Sequence, residues 1–489
     1  MTGVVIVFLY LIAVSAAGMG VALIVFRGAG RVAAEVWLPV SFALGLGLQA
    51  MVLLSAMVAY GAGPVWLAGV AGLVALGAGI ALQIKGDPAR RVDLGGFQMF
   101  ANPPADGNQR ALHFAAFALI AFFVVVVYLN ALSYPFTSYD GRAIWSYKAK
   151  VMLHEQSILG EAFTDPYRIH YHRDYPVLVP IAMYAIYDLT GGVNERLVRM
   201  LFSTFFLMQV LFLYGMLRRI GTGGALAMVG ALFYCATPFR DDWSERDGGA
   251  LNSGAVDIPL SFFAMVSVLG FLLFWRERQR WQYLLGGVFG GLALMTKSEG
   301  VVIVAVTLAG NMAVALFGRG GAIKRDVALA IGGVLLSFAV ALPWQIAKSG
   351  IPNFYDEDYG AQFRPDILLG AWQRLGVILY TIGKEIVFIE KWNWYWVALI
   401  AMVPAAIPAW LGRREFFLDS LLLAWLSIYL FVYMVSPLNL VFHLNTSTSR
   451  LASHLLPLVL VRLILFWAAR NPFDTPARLA VLRGGAAPC

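Results

Sequence analysis

Residues 111–140 read ALHFAAFALIAFFVVVVYLNALSYPFTSYD, and this stretch decides the fold. From 111 to 133 it contains no Asp, Glu, Lys or Arg. About 20 such residues, rising about 1.5 Å each, cross the hydrocarbon of a bilayer. The next ionisable carboxylate is Asp140, a few residues beyond the hydrocarbon edge. A carboxylate at that position serves either as a helix N-cap or as a general base held where lipid meets water. The residues alone leave both roles open.

The same kind of run recurs along all 489 residues, which are 60% hydrophobic and 13% charged, with mean hydropathy +0.73. Soluble domains are about 45–50% apolar and about 25% charged. A soluble enzyme, a disordered regulator and a single-anchor protein are thereby excluded. Thirteen runs reach spanning length: roughly 4–26, 36–60, 64–84, 111–133, 196–217, 223–240, 256–275, 281–297, 300–317, 326–347, 394–411, 416–435 and 450–469. The expected class is an all-α polytopic membrane protein with about thirteen transmembrane helices. The first run has no basic residue before it and Arg27 and Arg31 after it, the reverse of a secretory leader, so it reads as a span with its N-terminus outside.

The formal charge of +8 sits in short clusters between spans. Beyond Arg27 and Arg31 these are Lys85, Arg90, Arg91 and Arg110; Arg218 and Arg219; Arg276, Arg278 and Arg280; Arg319, Lys324 and Arg325; Arg413 and Arg414; Arg470 and Arg478. With thirteen crossings every cluster falls on the cytoplasmic side, as the positive-inside rule requires, and a nucleic-acid partner is not called for. Cys235 and Cys489 make no disulfide framework.

Two apolar segments are not counted as crossings. Residues 176–190 are short and carry Pro176 and Pro180, and residues 371–391 carry Lys384, Glu385, Glu390 and Lys391. Counting either would invert every later cluster, so both are expected as helices lying on, or dipping into, the external interface. The external loops are then 134–195, 241–255, 298–299, 348–393 and 436–449.

Those loops and the adjoining span ends hold the residues with chemistry. Behind Asp140, Ile144, Tyr147, Val151 and Ile158 form a stripe of helical spacing, with Lys148 and Lys150 expected off the apolar face. His170, His172, Arg173 and Asp174 could hold a metal, yet i, i+2 histidines point to opposite faces, and Arg173 with both histidines would equally donate to a phosphate. Asp257 opens the seventh span as a cap or as a functional carboxylate. Lys297 and Glu299 occupy the tight turn between the eighth and ninth spans, as a plain ion pair or as an anion contact with its orienting carboxylate. Arg450 and His454, at i, i+4 on the last span, follow a hydroxyl-rich lead-in and suit a phosphate, although Arg450 could also snorkel. Asp241, Asp242, Glu245 and Asp247 read as solvated charges, and Tyr355 and Tyr359 flank an acidic loop, 356–358, of a kind that suits solvent or a sugar.

In order, these pieces resemble the GT-C superfamily of polyprenyl-phosphate-sugar-dependent glycosyltransferases, nearest the protein mannosyltransferase, aminoarabinose transferase and galacturonosyltransferase-like branch. The resemblance rests on Tyr139-Asp140-Gly141, Tyr175-Pro176-Val177-Leu178, Gly192-Val193-Asn194-Glu195 with Arg199, Asp257-Ile258-Pro259-Leu260, Met295-Thr296-Lys297, and Arg450 leading to Leu456-Pro457. The family's second acid is replaced by Gly141, and its His-Pro-Pro-Leu segment is reduced here to one proline.

The resemblance implies a catalytic core over 111–470, a three-span addition with a cytoplasmic linker over 1–110, and a cytoplasmic tail over 471–489. It implies an inverting transfer of sugar from a polyprenyl phosphate to a glycan, lipid or protein hydroxyl, with Asp140 as general base. Arg450, Lys297, Arg199, His454 and Arg173 would contact the donor phosphate. Asp257, Glu299, His170, His172, Tyr139, Lys148 and Tyr355 would line the mouth. No cofactor is required by this scheme, with a divalent metal as the lesser alternative. The site would face the periplasm from a bacterial inner membrane. The rivals are a lipid-linked-sugar flippase or secondary transporter, and an O-antigen-ligase-type enzyme using a diphosphate-linked glycan. Charges kept at span ends and not at the midplane favour the transferase over the transporter.

Overall fold

The computed structural model describes residues 2–165, 167, 172–237, 254–317, 323–352, 362, 364–410 and 416–470. Sixteen helices carry the architecture. They are α1 Thr2–Val25, α2 Ala34–Tyr60, α3 Trp66–Lys85, α4 Gly107–Ser133, α5 Ser146–Glu155, α6 Leu178–Leu189, α7 Glu195–Arg219, α8 Gly224–Ala236, α9 Asp257–Glu277, α10 Arg280–Leu294, α11 Gly300–Phe317, α12 Ile323–Lys348, α13 Leu375–Val387, α14 Tyr395–Trp410, α15 Phe416–Met434 and α16 Leu440–Arg470. Among the described residues, ten (α1, α2, α3, α4, α7, α9, α11, α12, α15 and α16) are long and apolar enough to cross a membrane. The runs at 223–240, 281–297 and 394–411 form the shorter helices α8, α10 and α14, of 13, 15 and 16 residues. The chain is an all-α polytopic membrane protein. Its only β pairing among the described residues is Arg31–Val32 with Asp93–Leu94, tying the α1–α2 connection to the linker after α3.

α9 is enclosed on every side, which its sequence demands: from Ile258 to Trp275 it is apolar all round, with no charge to send to a surface. α7, α10 and α16 pack against it or around it. The first three helices form a trio held by very close approach. A Cβ on Gly18 would lie 1.8 Å from the Ser41 carbonyl oxygen, and one on Gly45 would lie 1.9 Å from that of Val14. Small residues let membrane helices meet at backbone distance, where dispersion contacts replace a missing hydrophobic drive. α2 also packs on α6, α7 and α12, so this trio is joined to the rest of the bundle.

The ends of the helices sort as alternating crossings require. Asp140 after α4, Asp257 at the start of α9, Lys297 after α10 and Arg450 in α16 meet at one end. Arg219–Glu277 and Arg278–Asp326, from the other ends of α7, α9 and α12, lie at the opposite one. Since α10 begins three residues after α9 ends and delivers Lys297 to the first residue of α9, it runs back along the whole of α9 despite its shortness. Arg319, Arg413, Arg414 and Arg478 lie outside the described residues.

Neither doubtful segment crosses. Leu178 of α6 donates its N–H to the Met295 carbonyl at 3.0 Å, and the Tyr184 hydroxyl reaches the Gly63 carbonyl at 3.2 Å, both at the end that carries Asp140. α6 is buried from Leu178 to Tyr187, so it lies inside the protein, not against lipid. Arg374 donates to the Ser436 carbonyl at 2.7 Å, and Glu385 accepts from Ser449 at 2.8 Å, keeping 374–385 at that same end. α13 buries Ile378 and exposes Val377, Leu379, Tyr380 and Val387, as an interfacial helix would.

Candidate active site

Asp140 opens a π-helical turn, Asp140–Trp145, whose extra residue per turn is rare and recurs at functional sites. Asp140 is therefore not the N-cap of an ordinary helix. The preceding loop is tied to the first turn of α7. Glu195 accepts from the Phe136 N–H at 3.2 Å and pairs with Lys150 at 2.7 Å. Arg199, buried, donates to the Pro135 carbonyl at 3.1 Å, to the Tyr134 carbonyl, and to Asn130 at 2.8 Å. Glu195 and Arg199 thus position the turn that presents Asp140. Gly254, with φ +83°, allows the strand of chain before α9 to pass: a Cβ there would lie 2.4 Å from the Phe136 ring.

Asp257 is the first residue of α9, makes no capping bond, and is 1% exposed. Burying a carboxylate is costly unless its partners are complete, and here they are. Lys297 donates to Oδ1 at 2.8 Å, His454 Nε2–H to Oδ1 at 2.8 Å, and Arg450 Nε to Oδ2 at 3.2 Å. The Tyr429 hydroxyl lies 3.1 Å from His454 Nδ1, so the imidazole bridges Tyr429 and Asp257. Lys297, 2% exposed, also meets Glu299 at 2.8 Å. Burial, the largest influence, would raise the Glu299 pKa, but the charge and hydrogen bond of Lys297 together with His454 hold this carboxyl below its ordinary range.

Arg450 joins the two carboxylates. Its Nη2 lies 2.8 Å from Asp140 Oδ2, while its Nε serves Asp257. The Asp140 and Arg450 side chains are 23% and 19% exposed, in contrast to the sealed Asp257 and Lys297. Three carboxylates (Asp140, Asp257, Glu299) share two fixed cations (Arg450, Lys297) and the His454 ring.

The other expected residues fall around this core. Arg173 is buried and donates to the Asp165 carbonyl at 2.6 Å and to that of Phe163, bracing its own loop. Lys148 was expected off the apolar face; it is instead buried, donating to the Tyr175 carbonyl at 2.7 Å and the Arg173 carbonyl at 3.3 Å. Burial pushes its pKa well below the usual lysine range, with Lys348 adding to the fall and Asp174 opposing it. His172, in the left-handed region at φ 55°, stacks on Tyr175 with ring centroids 4.2 Å apart. Burial and then Lys148 lower its pKa, against Asp140, Asp174 and Glu299. Asp174 pairs with Lys348 at 3.1 Å. Tyr139 is exposed beside Asp140. His170, Tyr355, Tyr359, 356–358 and Asp241, Asp242, Glu245 and Asp247 lie outside the described residues. Among the described residues no group of three or more His, Cys, Asp or Glu stands where it could hold a metal.

Sequence reading missed Tyr429, which sits inside an apolar run with nothing to distinguish it from packing. It also left Glu385 and Lys391 without a role. Lys391 is buried beside Glu385 at 3.1 Å, and Glu385 accepts from Ser449, the neighbour of Arg450, and from Trp392 at 2.8 Å. This knot fixes the first half of α16.

The helical bundle thus gathers two carboxylates around one arginine at one of its ends. Residues 174–346 match the family model described as dolichyl-phosphate-mannose-protein mannosyltransferase, a family of the GT-C superfamily, and the chain is consistent with a GT-C integral-membrane glycosyltransferase. The match takes in Asp174, Asp257, Lys297 and Glu299; Asp140, Arg450 and His454 lie on either side of it. No curated protein and no solved structure matches the chain.

Proposed function

We propose that this chain transfers a sugar from a polyprenyl phosphate to an acceptor hydroxyl at the bundle end that carries Asp140, and that this end faces the periplasm from the inner membrane. The family match supports a membrane glycosyltransferase. The observation that carries the finer reading is the Asp140–Arg450 pair, a carboxylate and a guanidinium 2.8 Å apart and partly open. A base and a phosphate-binding cation are the two groups this reaction needs side by side.

In this scheme Asp140 takes the proton of the acceptor hydroxyl. The acceptor oxygen attacks the anomeric carbon through an oxocarbenium-like state. The bond from that carbon to the phosphate oxygen breaks, and the electron pair leaves on the lipid phosphate, whose charge Arg450 stabilises. A single displacement inverts the anomeric centre. Asp257, Lys297 and His454 act through Arg450, holding its guanidinium in place. The acceptor is a glycan, lipid or protein hydroxyl, and the donor tail stays in the surrounding lipid.

Purified protein in liposomes, given polyprenyl-phosphate sugars, tests this directly. Asp140→Asn is expected to lower transfer by about 10²–10⁴-fold, the usual contribution of a general base. Full transfer by a folded Asn variant would remove Asp140 from the role. Cysteines placed at Tyr167 and Leu369, both exposed, should react with an impermeant reagent from outside in intact spheroplasts, and one at Arg278 should not. The opposite pattern overturns the orientation.

A further inference from the structure

Four of the five cations assigned to the donor phosphate are already committed. Lys297 is sealed between Asp257 and Glu299, and His454 is buried between Asp257 and Tyr429. Arg199 and Arg173 are buried on backbone carbonyls. Arg450 is the one whose side chain keeps substantial exposure, and its Nη2 edge is occupied by Asp140. Arg450 already meets the carboxylates of Asp140 and Asp257, so an incoming phosphate would be a third anion around a single guanidinium. Like charges at such distances in a partly buried site repel strongly.

We infer that Asp140 and the donor phosphate compete for the same edge of Arg450, so that the phosphate displaces the carboxylate and thereby releases it to act as base. This rests on the proposed function and adds an order to it. Without donor, Asp140 Oδ2 is engaged by Arg450 Nη2. With donor, the phosphate oxygen takes over Nη2, while Nε remains on Asp257, which three donors hold in place. The freed carboxylate, already partly exposed, is then beside the anomeric centre that the phosphate carries. No covalent bond changes in this step; one anion replaces another on the guanidinium.

The recognised chemistry is a phosphate group, borne by a polyprenyl phosphate or free in solution. Purified protein in nanodiscs is titrated with a polyprenyl monophosphate lacking sugar, and separately with inorganic phosphate. Asp140→Asn, which removes the competing charge at nearly constant shape, is expected to bind both about five- to tenfold more tightly than wild type, the effect of one partly exposed ion pair of about 1 kcal/mol. Asp140→Glu keeps the charge and is expected to show no such gain, which separates competition from mere loosening of the site. Arg450→Gln is expected to lose binding more than about tenfold. Thermal unfolding confirms that each variant is folded.

Unchanged or weaker lipid-phosphate binding by Asp140→Asn, with binding still lost in Arg450→Gln, overturns the competition and leaves the phosphate role of Arg450 standing. A gain with inorganic phosphate alone overturns the assignment to a lipid headgroup. Wild type that binds neither ligand, with Arg450→Gln indistinguishable from it, overturns the proposed function and this inference together.

Discussion

At the end of the bundle away from Asp140, Arg219 and Arg278 each grip a carboxylate of a neighbouring element. Arg219 meets Glu277 at 2.8 Å and lies 4.9 Å over the Trp281 ring. Arg278 grips Asp326 through two bonds of 2.9 and 3.0 Å and lies 4.5 Å over Trp275. These pairs staple α7 to α9 and α9 to α12. At the Asp140 end the stoichiometry breaks down. Arg450 serves two carboxylates, Asp257 serves three donors, and Lys297 serves Asp257 and Glu299. A closed pair has nothing left to offer a ligand. A shared network with a partly open member can exchange one partner for another, and that separates a site from a staple made of the same residue types.

Removing the hub of the shared network should have the largest effect. Asp257→Ala leaves Lys297, Arg450 and His454 short of a common acceptor in a sealed pocket, and breaking a buried ion pair costs about 3–5 kcal/mol. The variant is expected to unfold at markedly lower temperature and to lose transfer. A thermal midpoint equal to wild type would show that the network is not shared in the way described. Arg278→Gln is the matched test at the other end. Its pair with Asp326 is partly exposed, so the loss is expected to be about 1 kcal/mol or less, seen as a small drop in midpoint with transfer unchanged. A comparable loss of transfer from Arg278→Gln would erase the distinction between the two ends.

The spans were legible in the sequence because they are local. Runs such as 111–133 and clusters such as Arg218-Arg219 declare themselves without knowledge of neighbours. The polar ends of the spans also named Asp140, Asp257, Lys297 and Arg450. What the sequence lacked was the pairing: Arg450 and Asp257 are 193 residues apart, and no spacing announces that one arginine bridges two carboxylates. Tyr429 was hidden by its apolar surroundings. Arg199, expected on a phosphate, is consumed by carbonyls of the loop before Asp140, a backbone demand that side-chain patterns do not reveal.

Lys148 has a sharper cause. Lys148 lies four residues after Ile144 and three before Val151, so helical spacing sets it on the face those two bury. The apolar character of Tyr147 suggested otherwise, yet Tyr147 is exposed and Lys148 is buried.

That burial makes the smallest and most specific prediction. Lys148 loses its proton in the folded chain well below the ordinary lysine range, chiefly because burial disfavours the ammonium, whereas the unfolded chain keeps the proton up to about pH 10.4. Between those two points the unfolded state binds more protons than the folded one, so stability rises with pH. A neutral amine still has two N–H groups for the Tyr175 and Arg173 carbonyls, so the contacts survive deprotonation. In Lys148→Met the proton term vanishes while the buried stem is kept. The thermal midpoint of wild type should therefore climb relative to Lys148→Met as pH is raised from about 7 to about 10. A difference that stays constant over that range would mean that Lys148 holds its proton in the folded protein. The layer beside Asp140 would then hold a charged lysine, and the separation between one open arm and a sealed surround would have to be redrawn.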